Sequence, residues 1–173
     1  MIVLLFPGIE EPWRESFRFY SQNTGKFYNS VYLSRNLFDK SKNEDWVEHY
    51  FDVAEYLSKQ NCIVFIEICT GLNWHYARER IKNSEEEKAT IFPSLESKEE
   101  WIKRLEYLNH KDREFVSSNY NFLVRQLSFL SSYDVHAFDK SYCINDYKFH
   151  RKAYKEDMEN GGLLHGILRE FFK

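Results

Sequence analysis

The stretch Ile2-Val3-Leu4-Leu5-Phe6-Pro7-Gly8-Ile9-Glu10-Glu11-Pro12-Trp13-Arg14-Glu15-Ser16 decides how the chain is read. An apolar run ends at Pro7-Gly8, and a polar segment then leads toward a helical pattern. Strand, tight turn and helix N-terminus in that order form the layout in which many nucleotide-binding proteins hold phosphate. A working phosphate loop also needs G-x-x-x-x-G-K-[ST]: glycines for backbone approach, a lysine on the phosphates and a hydroxyl on magnesium. Counted from Gly8, the second glycine position holds Trp13, the lysine position Arg14 and the hydroxyl position Glu15, with Ser16 one residue late. Pro12 has no N–H to offer. Glu10, Glu11 and Glu15 against Arg14 leave the loop at a formal charge of −2 before any anion arrives. The layout is that of a phosphate loop; the chemistry opposes phosphate.

Three further apolar runs read as strands: Cys62 to Cys69, Ala89 to Phe92 and Asp134 to Phe138. Cys62 to Cys69 is β-branched and almost continuously apolar, as expected of a strand buried on both faces. Helical patterns lie between the runs. From Asn43 to Lys59, Trp46, Tyr50, Val53, Ala54 and Leu57 share a stripe, with Asn43 as cap. From Ser94 to Leu108, Ser97 and Glu100 form an S-x-x-E capping box, and Trp101, Ile102, Leu105 and Leu108 supply the apolar side. A further helix is expected over Glu114 to Leu130, and another after Gly161-Gly162. A strand within Lys26 to Leu33 is left open. Strands separated by helices predict an α/β fold, a mainly parallel sheet of about four or five strands covered by helices on both faces, in one domain over 1–173. Such sheets carry their sites at the carboxyl ends of the strands.

The segment Asp45 to Ile81, followed by Ile91 to Leu105, resembles a group of phage-encoded proteins with a P-loop kinase-like fold. The shared pattern is an aromatic-rich helix, a strand, a turn with an arginine-bearing helix, then a strand ending in proline and a K-E-E-aromatic-hydrophobic-x-R helix. Here that last motif is Pro93, then Lys98, Glu99, Glu100, Trp101, Ile102 and Arg104. The resemblance implies that Arg78, Arg80 and Arg104 stand where such kinases keep phosphate- or substrate-facing arginines. The departure is the first loop, so the expectation is a kinase-like scaffold that has lost its chemistry.

Composition narrows the remaining classes. A net charge of −3 argues against broad electrostatic binding of nucleic acid. Aromatic residues at 18%, with 15 Phe and 12 Tyr, supply rings suited to interfaces. Three cysteines, Cys62, Cys69 and Cys143, leave one unpaired in any disulfide scheme and lack zinc spacing. The first apolar run is too short for a secretory leader, and no stretch approaches the ~20 apolar residues of a membrane span. A cytoplasmic protein is expected, in the host cytoplasm if phage-encoded.

The histidines, 49, 75, 110, 136, 150 and 165, show no metal-ligand spacing. Glu67, a carboxylate within an apolar strand, reads as an ion pair, a strand end reaching water, or the acidic remnant of a magnesium site. The turn and helix from Thr70 to Arg80 could hold an anion. Gln126-Leu127-Ser128-Phe129-Leu130 resembles the short peptide by which bacterial replication proteins dock on the sliding clamp, while Phe122, Leu123, Leu127 and Leu130 also form a buried helix stripe. The apolar segment Gly161 to Phe172 could be core or a homodimer contact.

The leading expectation is therefore a non-catalytic protein-binding module, without cofactor, that binds and inhibits a host factor such as a bacterial replication protein. Trp13, Gln126, Leu127, Phe129 and Leu130 would face that partner. The alternative is a nucleoside or nucleotide kinase using ATP and magnesium, with Gly8, Arg14, Arg78, Arg80 and Arg104 as anion ligands.

Overall fold

The structure, a computed structural model, describes residues 1–9, 18–21, 25–34, 37–38, 45–67, 74–105, 110–132 and 140–144. Among the described residues, six strands and four helices run in the order β1 (Ile2–Leu5), β2 (Arg18–Ser21), β3 (Lys26–Tyr32), α1 (Trp46–Lys59), β4 (Cys62–Glu67), α2 (Trp74–Lys82), β5 (Lys88–Pro93), α3 (Lys98–Arg104), α4 (His110–Ser132) and β6 (Lys140–Ile144), with a 3-10 turn at Leu95–Ser97 before α3. They form one sheet in the order β2-β3-β4-β1-β5-β6. β3, β4, β1, β5 and β6 are parallel to one another, and β2 pairs antiparallel with β3 at the edge. The expected parallel α/β sheet is present, with one strand more than expected.

The apolar runs explain which strands lie centrally. Ile2, Val3, Leu4 and Leu5 alternate between the two faces of β1, yet each is at most 1% exposed. Val3 is flanked by Phe65 of β4 and Ala89 of β5. A strand without polar residues fits only where both faces are covered. The outer strands read differently: Lys140–Ile144 and Lys26–Tyr32 mix polar and apolar residues, which weakened their signal. The expected strand at Asp134 to Phe138 lies outside the described residues.

α1 lies against β4 and β1, and α4 against β5 and β6. In α1 the buried line is Trp46, Tyr50, Phe51, Ala54 and Ser58. Val53, expected on that line, is 37% exposed, and Phe51 takes the inward position instead. The expected cap Asn43 lies outside the described residues. Ser97 does precede α3, but its hydroxyl makes no capping bond. Its φ and ψ of −81° and 4° continue the 3-10 turn, whereas a capping serine needs extended backbone to reach forward. The Ser97 hydroxyl lies instead 3.0 Å from that of Ser94.

Three rings tie the helices to the end of β1. Phe6 meets Trp101 edge-on at 5.9 Å and Tyr120 at 5.1 Å between centroids. Tyr120, fully buried on α4, donates its hydroxyl to the Ser94 carbonyl at 2.8 Å. Burial pushes this phenol well above its ordinary value near 10, with smaller contributions from Cys143 and Glu96. The folded state therefore holds the neutral form more tightly than the unfolded chain does. That contribution is intact below the unfolded value and is lost as pH rises past about 10. Denaturant titrations from pH 8 to pH 10.5 should show stability falling at the alkaline end. Tyr120→Phe should flatten that fall and cost about 1–3 kcal/mol at neutral pH, because a buried carbonyl loses its donor.

Candidate functional site at the carboxyl edge of the sheet

From β1 the chain goes to one side, reaching β3 and returning through β4; it then crosses β1 to β5 and β6 on the other side. The reversal places the switch point of the sheet at the carboxyl end of β1, where α/β folds bind ligands. The turn Pro7-Gly8-Ile9 sits there. Phe6 continues the ladder by donating its amide to the Ile91 carbonyl at 2.9 Å, and Ile9 closes the turn onto the Phe6 carbonyl at 3.3 Å.

Gly8 has φ of +92°, a region that L side chains avoid. The space above it is taken. A Cβ on Gly8 would overlap Leu105 Cδ2 and stand 3.2 Å from Trp101 Nε1. The Trp101 indole, 1% exposed, donates Nε1–H to the Pro7 carbonyl at 2.8 Å. The glycine is thus required by the close approach of α3 and by its backbone angle, without reference to any phosphate.

The Gly8 amide is also engaged. It donates to Glu67 Oε1 at 3.1 Å, and the Tyr32 hydroxyl donates to Glu67 Oε2 at 2.8 Å. Glu67 ends β4, and its register partner on β1 is Leu5, one turn before Gly8. Glu67 is a strand-end carboxylate that bridges β3 and β1. In an anion-binding loop this amide would face the ligand; here an internal carboxylate has it. A second negative charge about 4 Å from Glu67 would meet about 1 kcal/mol of repulsion in water and about 4 kcal/mol at a partly buried site. The same edge is closed elsewhere by Tyr50, which donates to the Leu33 carbonyl at 2.7 Å.

The residues expected to bind anions are placed as follows. Trp13 and Arg14 lie outside the described residues. Arg80 on α2 is turned toward α1, where it pairs with Asp52 and, at 3.5 Å, with Glu55. Arg78 is half-buried on the same helix, and its Nε is buried without a hydrogen-bond partner among the described residues. Arg104 forms the last turn of α3. Arg80 and the Gly8 amide are therefore committed to structural contacts.

The expected docking peptide falls on α4. Leu127 is fully buried in the core and Gln126 is half-buried; Phe129 and Leu130 continue the helix. Docking through Leu127 would require α4 to leave the sheet. The apolar segment Gly161 to Phe172 lies outside the described residues. Cys62 is buried and Cys143 half-buried, the latter with its thiol pushed up by burial and by Glu96. Among the described residues no group of three or more His, Cys, Asp or Glu is placed to hold a metal ion, and no helix is long and apolar enough to cross a membrane.

Sequence reasoning singled out Gly8 and Glu67 but did not join them, and it missed Tyr32. Tyr32 lies 35 residues before Glu67 and carries no local signal of the contact. Gly8→Ala should destabilise the fold by about 1–3 kcal/mol through overpacking. Adding Leu105→Ala should recover part of that loss, leaving the penalty of the positive φ; denaturant melts of the single and double variants measure both. Glu67→Gln should cost about 1–3 kcal/mol, since a charge-assisted acceptor is replaced by a neutral one. The same loss in a Tyr32→Phe background would be smaller if the two groups act together.

Comparison of the chain with protein-family models, with curated proteins and with solved structures finds no match.

Proposed function

We propose that this chain is a non-catalytic protein-binding module on a P-loop kinase-like scaffold, of the phage-encoded kind that binds and restrains a host protein. One observation carries the reading. At the switch point, where a kinase would cradle phosphate, the Gly8 amide is held by Glu67 and the space above is filled by Trp101 and Leu105. Pro12 and the surrounding carboxylates point the same way. The parallel sheet and the position of the turn support the scaffold; the occupied turn supports its loss of phosphate chemistry. A bacterial replication factor is the candidate class of partner. With Leu127 in the core, contact with a sliding clamp would come through a surface other than the α4 peptide.

The competing reading is a nucleotide kinase with ATP and magnesium, and a thermal-shift panel separates the two. A nucleotide at 100 times its Kd stabilises a folded protein by about 2.7 kcal/mol. For a chain of this size each kcal/mol raises Tm by roughly 2–4 °C. ATP, GTP and their diphosphates with magnesium at millimolar concentration should leave Tm within about 1 °C. A rise of 5 °C or more with any of them would reverse the assignment. Immobilised protein should also retain one bacterial protein in stoichiometric amount from lysate, and an empty eluate would count against the module.

A further inference from the structure

We propose that the outer ribbon of the sheet, β2 with β3, is a stacking platform for single-stranded nucleic acid. Arg18 stands directly opposite Asn29 and Tyr20 opposite Phe27, so these four residues share one face of the ribbon. All four are exposed, Tyr20 at 48% and Phe27 at 52%. The two rings lie 4.9 Å apart between centroids, and the Arg18 guanidinium carbon sits 4.1 Å above the Phe27 ring. The cross-strand contact of the rings stabilises the ribbon, yet about half of each residue is left in water. The rings are tilted by 53° to each other, and the stacked guanidinium adds a planar group beside them.

Charge on the ribbon runs against that of the chain. Its described residues, 18–21 and 25–32, carry Arg18 and Lys26 and no carboxylate, while the whole chain has a net charge of −3. Single-stranded nucleic acid supplies both complements at once: base faces for Tyr20 and for the Arg18 plane that covers Phe27, and a phosphate for the Arg18 N–H groups, while Lys26 alternates to the opposite face of the ribbon. The Asn29 side chain offers a donor and an acceptor to a base edge. A duplex keeps its base faces stacked internally and cannot use the rings. Because the chain is acidic overall, stacking leads and electrostatics follow. One phosphate contact at a slope of roughly −0.7 predicts a shallow dependence of log K on log salt. This site is separate from the carboxyl-edge turn and stands or falls independently of the protein-binding assignment.

Fluorescence anisotropy of a labelled fifteen-residue oligothymidylate with the full chain tests it. Saturable binding is expected, with a slope of roughly −0.7 and at least about tenfold weaker binding by the duplex form. Tyr20→Ala and Phe27→Ala should each weaken binding by about tenfold or more. Tyr20→Leu with Phe27→Leu keeps apolar area without the rings, and should lose binding equally while circular dichroism remains native. Tyr56→Ala, an exposed ring on α1, should leave binding unchanged. The proposal is overturned if the oligonucleotide does not bind, if the leucine variant binds as well as the parent, or if the duplex or a labelled nonaglutamate peptide binds equally well. Binding of the peptide alone would make the ribbon a docking surface for acidic protein segments instead.

Discussion

The fold turns on where a fully apolar strand can end. β1 has no polar side chain to present to water, so both of its faces must be covered along its length. It consequently takes the centre of the sheet, between β4 and β5, and its exit is surrounded by helices. The chain must then reverse in a crowded space. Gly8 at positive φ makes that reversal, and Trp101 closes over it with a hydrogen bond to the Pro7 carbonyl. Phe6, Trp101 and Tyr120 pack around the same point, so the core on the β5 side of the sheet is organised about the end of one strand.

Such an arrangement leaves a backbone amide facing the carboxyl edge, and a buried amide must be paired. In phosphate-binding folds a ligand can serve. Here Glu67 serves, itself steadied by the Tyr32 hydroxyl. The substitution is self-consistent: a carboxylate stabilises the ligand-free turn and at the same time raises the cost of bringing in another anion. Trp101 and Leu105 add a steric obstacle to the electrostatic one. Glu67, Trp101 and Leu105 thus close the carboxyl end of β1.

The central strands were legible because their signal is strong and local. Ile2 to Leu5 and Cys62 to Ile66 are unbroken apolar runs, as a strand covered on both faces requires. The edge strands were harder to read, since β2, β3 and β6 mix polar and apolar residues over short lengths without a regular alternation. The capping box at Ser97 was a sound local inference that lost to the preceding 3-10 turn. Arg80 looked like an anion ligand because its helix follows a strand end. Its actual partners, Asp52 and Glu55, lie on α1 and could be identified only once α1 and α2 were packed together.

By itself the amino-acid sequence determined the alternation of strands and helices, the central place of the apolar strands, and a first turn whose proline, tryptophan and carboxylates are unsuited to phosphate. These are properties of neighbouring residues, and local chemistry suffices to read them. The tertiary structure alone decided what does occupy that turn. Gly8 meets Glu67 across 59 residues, and Trp101 meets Pro7 across 94. Contacts at such separation depend on which strands become neighbours in the sheet, and periodicity along the chain does not encode that order.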